Sequence, residues 1–159
     1  GQATCARELL EEIDDLDIVM APIGGGGLMS GTALSTRYFA PGVQVIGAEP
    51  ERVDDACRSF HSGRIETNER IDTVADGLRT NLGEKTFDII RREVDDILTV
   101  SEEAIVAAMR LTWERMKIII EPSCAVPLAA VLKNKERFAG KRVGIILTGG
   151  NVDLDRLPF

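Results

Sequence analysis

Apolar positions recur along this chain in two rhythms, one helical and one continuous. Thr4 to Ile13 sets Ala6, Leu9, Leu10 and Ile13 at helical spacing with acids on the other face, which predicts a helix. Ile18-Val19-Met20-Ala21-Pro22-Ile23 is a short unbroken apolar run and reads as a buried strand. Leu28 to Phe39 returns to helix-compatible spacing, and Val43 to Ala48 forms a second buried strand that ends in Glu49-Pro50. Asp54-Asp55 open or enter a helix that runs to about Ser62 and stops at Gly63. Ile65 to Leu82 is the least regular stretch. Glu84 to Arg92 reads as a helix and Asp96 to Val100 as a short strand. Ser101 caps the next helix, with Glu102 and Glu103 at its positive end. In that helix Ile105, Met109, Thr112, Trp113 and Met116 form one stripe, the pattern of a core-facing side. Glu121-Pro122-Ser123 starts another helix, running to about Glu136, with Pro122 in the first turn and Pro127 awkwardly inside it. Val143 to Leu147 is a further apolar strand that runs into Thr148-Gly149-Gly150-Asn151.

Strands joined by helices make βαβ units, so the strands lie parallel with right-handed crossovers. The expected fold is α/β: an open, twisted, mostly parallel sheet with helices on both faces. There is no internal repeat, low-complexity tract or linker, so residues 1–159 make one domain or part of one. Ligands of such sheets sit outside the carboxyl ends of the strands. Gly24–Gly27, Thr148–Asn151 and Glu49 are therefore expected to converge there.

Four consecutive glycines between a strand and a helix suit an anion. Their missing side chains let it approach the main chain, and the helix N-terminus adds partial positive charge. The dinucleotide fingerprint needs Gly at i, i+2 and i+5. Here Gly24 and Gly26 lead to Met29, and Gly25 and Gly27 lead to Ser30. No Gly-Lys-Ser/Thr follows either. A compact tetraglycine cup fits one phosphate monoester, such as that of pyridoxal phosphate.

Composition narrows the partners. Hydrophobic content of 44% with 28% charged residues is that of a globular chain. A net charge of −7 with no basic run argues against nucleic acid or an anionic membrane surface. No apolar run approaches the ~20 residues of a membrane span. The opening Gly1-Gln2, without Met or a signal peptide, suggests a segment of a longer polypeptide. Cys5, Cys57 and Cys124 are odd in number and lack C-x-x-C spacing, so they read as small buried hydrophobes in a reducing, cytoplasmic setting. The lone His61, in Phe-His-Ser-Gly, reads as a surface residue.

A set of pieces resembles the fold-type II pyridoxal-phosphate enzymes, in the branch of serine racemase and the short serine/threonine or 3-hydroxyaspartate dehydratases. They are Gly1-Gln2-Ala3-Thr4, Gly24–Gly27, Ala48-Glu49-Pro50, Ala75-Asp76-Gly77, Trp113-Glu114-Arg115-Met116-Lys117, Glu121-Pro122-Ser123 and Thr148-Gly149-Gly150-Asn151-Val152-Asp153. The chain resembles the C-terminal half of such an enzyme, the later part of its large cofactor-binding domain. The N-terminal half, with the small domain, is then the partner of this segment. No lysine here matches the family's Schiff-base lysine in its Ser-x-Lys-x-Arg setting, so no catalytic residue is assigned within residues 1–159. Cys124, where the family often has Gly, is a second departure.

The resemblance implies a cofactor site. Gly24, Gly25, Gly26 and Gly27, with the Leu28 N–H, would hold the phosphate; Thr148 would meet the pyridine nitrogen, Gly77 would lie along the cofactor and Glu121 near the ring edge. A neutral hydroxyl at the nitrogen makes a weaker electron sink than an Asp. Glu49 and Asp55, with the carbonyl of Val53, resemble the family's divalent-cation site, and an all-oxygen set suits Mg²⁺, Mn²⁺ or Ca²⁺. The plainer alternative is that Asp54 or Asp55 caps a helix. The implied reaction is β-elimination of a hydroxy amino acid to a 2-oxo acid and ammonia, or serine racemisation, by a cytoplasmic homodimer. The chain ends soon after Asp153, which favours the short forms without a regulatory domain. Other classes stay open at this point: a dinucleotide-dependent oxidoreductase, with Glu49 as a ribose-binding acid, and a non-catalytic domain that binds a phosphorylated small molecule.

Overall fold

The computed structural model describes all residues, 1–159. The apolar runs form a four-stranded sheet. Strand β1 (Ile18–Pro22) is buried at every position and lies between β2 (Gln44–Pro50) and β4 (Val143–Ile145), while β3 (Asp96–Val100) flanks β2. The order is β3-β2-β1-β4 and every pairing is parallel; Met20 sits opposite Ile46 on one side and Ile145 on the other.

Seven helices complete the chain: α1 (Thr4–Glu12), α2 (Gly27–Phe39), α3 (Asp55–Ser62), α4 (Glu84–Glu93), α5 (Glu102–Met116), α6 (Pro122–Lys133) and α7 (Lys135–Phe138). Alternate side chains of β1 point to opposite faces. Ile18 and Met20 join Ile105 and Met109 of α5 and Val126 of α6; Val19 and Ala21 join Ala6 of α1, Met29 and Ala33 of α2 and Ile90 of α4. Helices therefore cover both faces, as the sequence predicts, and β1, buried on both sides, is continuously apolar for that reason. No helix is long and apolar enough to cross a membrane.

Four expectations are corrected. Met116, assigned to the buried stripe of α5, is 56% exposed, because the helix ends there and Lys117 turns the chain with φ of 60°. The helix expected to run from Glu121 to about Glu136 breaks at Asn134, which leaves helical angles (φ −115°, ψ 42°) while its side chain donates to the Ala130 carbonyl at 2.8 Å. The last strand is ladder-paired only over Val143–Ile145, although the Ile146 N–H still reaches the Met20 carbonyl at 3.0 Å. Cys5 is exposed on α1, Cys57 is half-buried and only Cys124 is fully buried. Pro127 does lie inside α6, so the Ser123 carbonyl lacks its donor four residues on.

Candidate functional site

A cavity of about 220 Å³ opens at the carboxyl ends of β1 and β4. It is lined by Pro22, Gly24, Gly25, Gly26, Gly27, Leu28, Gly77, Leu78, Glu121, Ser123 and Thr148. All eight residues expected at a cofactor site thus border one space, brought there from four separate segments. No lysine lines it.

The glycine segment leaves main-chain donors facing no partner in the chain. Strand β1 ends at Pro22, and α2 begins at Gly27 with Gly26 at its N-cap in the left-handed region (φ 84°). The first N–H of α2 with a helical acceptor belongs to Ser30, which bonds the Gly26 carbonyl at 2.9 Å. The N–H groups of Gly27, Leu28 and Met29 are therefore free to serve a ligand, at the positive end of the helix. A Cβ at Gly26 would lie 2.7 Å from Leu82 Cδ1 and Thr86 Oγ1, whereas one at Gly25 would meet open space. Gly26 is thus glycine for its backbone angle and for close packing on the protein side.

The opposite wall comes from the start of α6 and the loop after β4. The Glu121 N–H donates to the Gly149 carbonyl at 3.0 Å, and Glu121 Oε2 accepts the Asn151 N–H at 3.1 Å. The main-chain N–H of Thr148 donates to Cys124 Sγ at 3.3 Å, while its hydroxyl bonds nothing in the chain. Ser123, buried, accepts the Gly77 N–H on its Oγ at 3.0 Å, and a Cβ at Gly77 would stand 2.9 Å from that oxygen. The sequence does not mark Ser123 as a site residue, because a serine in the first turn of a helix looks like routine capping. The segment that presents Gly77 is anchored by Glu102, whose Oε2 accepts the Val74 N–H at 2.7 Å and the Thr73 hydroxyl at 3.1 Å. From the sequence alone Glu102 has only a helix-dipole role.

Glu49 does not join the cavity. It is 1% exposed at the end of β2, and its two oxygens accept N–H groups from the first turn of α3, Ala56 at 3.3 Å and Cys57 at 2.8 Å. Burial pushes its carboxyl well above the usual range, with the charge of Asp55 adding to the effect and the two N–H donors opposing it. Asp55, also buried, accepts Asn68 Nδ2 and the Leu82 N–H, each at 2.6 Å, and burial raises its carboxyl too. The helix is therefore capped from a distance by Glu49, and the Asp54-or-Asp55 cap is overturned; Asp54 pairs instead with Arg58 at 2.8 Å. A ribose-binding role for Glu49 falls as well, since both its oxygens are turned onto α3. The Val53 carbonyl accepts no hydrogen bond. No three His, Cys, Asp or Glu side chains cluster to hold a metal, so any site here relies on two carboxylates and that carbonyl. His61 is exposed, as predicted, and its Nδ1 contacts the Cys57 carbonyl at 2.8 Å.

The chain matches the family model "Pyridoxal-phosphate dependent enzyme" over residues 1–149. It is 55% identical over 159 residues to a β-hydroxyaspartate dehydratase of Paracoccus denitrificans, covering 100% of this chain and 50% of that one. It is 51% identical over 157 residues to an L-threo-3-hydroxyaspartate ammonia-lyase of Saccharomyces cerevisiae, covering 98% and 48%. The crystal structure of serine racemase from Dictyostelium discoideum matches with a TM-score of 0.90 at 49% identity, covering 97% of this chain and 50% of that one. The chain spans about half the length of the curated relatives it matches.

Proposed function

We propose the function of this chain from one premise: it belongs to the pyridoxal-phosphate dependent enzymes. It forms the cofactor-binding part of an enzyme that eliminates water from a hydroxy amino acid such as 3-hydroxyaspartate, serine or threonine, giving a 2-oxo acid and ammonia. The observation that carries this reading is the shared cavity of Gly24–Leu28, Gly77, Glu121 and Thr148. The donor chemistry fits the cofactor at both ends, with free N–H groups for a phosphate and an unpartnered hydroxyl for a ring nitrogen.

When bound, pyridoxal phosphate supplies an electron sink that acidifies the substrate α-proton. The chain's own residues position that sink. Free N–H groups at the start of α2 would hold the phosphate, and Thr148 would offer a neutral hydroxyl to the pyridine nitrogen. Gly77, held by Ser123, would offer the ring a backbone surface free of side-chain bulk. Glu121, fixed by the Asn151 N–H, would close the ring edge. The lysine that would hold the cofactor and move the α-proton comes from the N-terminal half. The relatives' length supports such a partner half, and the resemblance supports a cytoplasmic homodimer.

Serine racemisation is the second reading, favoured by the likeness to serine racemase. The test is to incubate the full-length protein with L-threo-3-hydroxyaspartate, L-serine and L-threonine, measuring 2-oxo acid and ammonia, with chiral chromatography for D-serine. Release of 2-oxo acid supports elimination, and D-serine alone supports racemisation. Neither product from cofactor-loaded protein overturns both.

A divalent cation, Mg²⁺, Mn²⁺ or Ca²⁺, belongs to this reading at Glu49, Asp55 and the Val53 carbonyl. What supports it is two mutually repelling buried carboxylates beside an unpaired carbonyl. Each carboxylate oxygen accepts one hydrogen bond and keeps lone-pair capacity for a metal. The cation would do no chemistry on substrate; it would tie the end of β2 to α3.

A further inference from the structure

The conformation of the glycine cup has a cause outside the glycines. The Gly25 carbonyl accepts the Thr86 hydroxyl at 2.7 Å and the Gly83 N–H at 3.3 Å, both from the turn into α4. The Thr86 hydroxyl has one proton and a second acceptor in reach, the Gly83 carbonyl at 2.8 Å. That carbonyl already receives the Phe87 N–H at 2.8 Å, so the proton has its greater use at Gly25. The chain has no cis peptide bond, and in a trans peptide the C=O and the following N–H point in opposite directions. With the Gly25 carbonyl drawn out toward α4, the Gly26 N–H is aimed the other way.

A Gly-Gly peptide has little steric resistance to flipping. Flipped, it would present a carbonyl oxygen to an anion in place of an N–H. Residues 81–86 act as a strap against this. The strap is fixed at its far end, where the Leu82 N–H meets Asp55 Oδ2 at 2.6 Å and Asn81 Oδ1 accepts the Asn68 N–H at 2.8 Å. Near Thr86 it is tied to α2, since Ser30 Oγ donates to the Thr86 carbonyl at 3.4 Å.

We propose that Thr86 is a positioning residue for cofactor binding: its hydroxyl holds the Gly25–Gly26 peptide in the orientation that turns an N–H toward the phosphate. This rests on the cofactor reading above, and Thr86 itself does not line the cavity.

The test uses the full-length apoenzyme, titrated by absorbance with pyridoxal phosphate and with pyridoxal, which lacks the phosphate. Thr86→Val, nearly the same shape without the hydroxyl, is expected to weaken pyridoxal phosphate binding about tenfold. Pyridoxal binding should stay at the wild-type level, and Thr86→Ser should restore phosphate-dependent affinity. Unchanged pyridoxal phosphate affinity, or equal loss of both ligands, overturns the proposal. If Thr86→Val does not fold, Thr86→Ala removes the same hydroxyl without bulk at the branch and is read in the same way. If neither variant folds, the residue is structural and the proposal fails. A wild-type apoenzyme that does not take up pyridoxal phosphate overturns the cofactor reading itself, a result separable from any difference between variants.

Discussion

The carboxylate of Glu121 accepts the N–H of Asn151 at 3.1 Å, so the residue just before α6 holds the loop that follows β4. The bond crosses thirty positions of sequence and closes the wall opposite the glycine cup. Glu121→Ala should loosen that loop at Asn151, with the main-chain bond from residue 121 to the Gly149 carbonyl kept and the sheet intact. The expected result in the full-length enzyme is a loss of activity of about tenfold with a far-UV spectrum like that of the wild type. Glu121→Gln, whose amide oxygen still accepts the N–H, should lie between. Circular dichroism and a 2-oxo acid assay on the same samples check both.

The two central glycines should separate by substitution. Gly25→Val projects into open space and is expected to fold while losing the cofactor. Gly26→Val places a Cβ 2.7 Å from Leu82 and Thr86 at a φ of 84°, so it should lower stability as well, by about 2 kcal/mol or more. Thermal melts and cofactor content distinguish them. Equal cofactor content in wild type and Gly25→Val contradicts the cup.

Thr148→Ala should keep the fold, since the bond to Cys124 comes from the main-chain N–H, and should lower turnover about tenfold. Thr148→Ser should be mild. Wild-type turnover in Thr148→Ala would make this strand end structural only.

Much of this site can be read in the sequence because its parts are local. Continuous apolar runs mark strands buried on both faces, and a tetraglycine after one of them has few structural uses. The features that escaped are those joined over distance. Glu49 caps α3 from seven positions away, across the turn that follows β2, where sequence offers Asp54 and Asp55 as nearer candidates. Thr86 reaches Gly25 across sixty-one positions, from a helix whose pattern shows only an amphipathic face. Met116 fits the periodicity of its helix and is exposed only because the helix ends there.

Chelation is the direct test of the cation. Removing it should leave the Glu49 and Asp55 carboxylates repelling each other in a dry setting. The full-length wild type should then melt several degrees lower and lose activity, with Mg²⁺ or Mn²⁺ restoring both. Asp55→Ala is a less clean probe, since it also frees Leu82 and Asn68. No change in melting temperature or rate with chelator contradicts a coupled cation site.

The cysteines should differ in reactivity and pH response. Burial pushes the Cys57 thiol up to about 11, with the nearby carboxylates of Glu49, Asp54 and Asp96 adding to it. A thiol raised in the folded state contributes stability that is complete below its unfolded value near 9 and is lost as pH rises toward 11. Cys57→Ala should therefore flatten the alkaline fall in melting temperature of the metal-free protein, where no cation offsets those carboxylates. At pH 8, iodoacetamide should modify the exposed Cys5 first, read by peptide mass spectrometry.

If this chain's cavity holds pyridoxal phosphate, the cofactor shows in the visible absorption spectrum of the purified full-length protein. The expected result is a band at the violet edge of the visible, one cofactor per chain, absent from Gly25→Val. A full-length protein that is folded, shows no such band and gains none on incubation with pyridoxal phosphate has no cofactor site in this cavity.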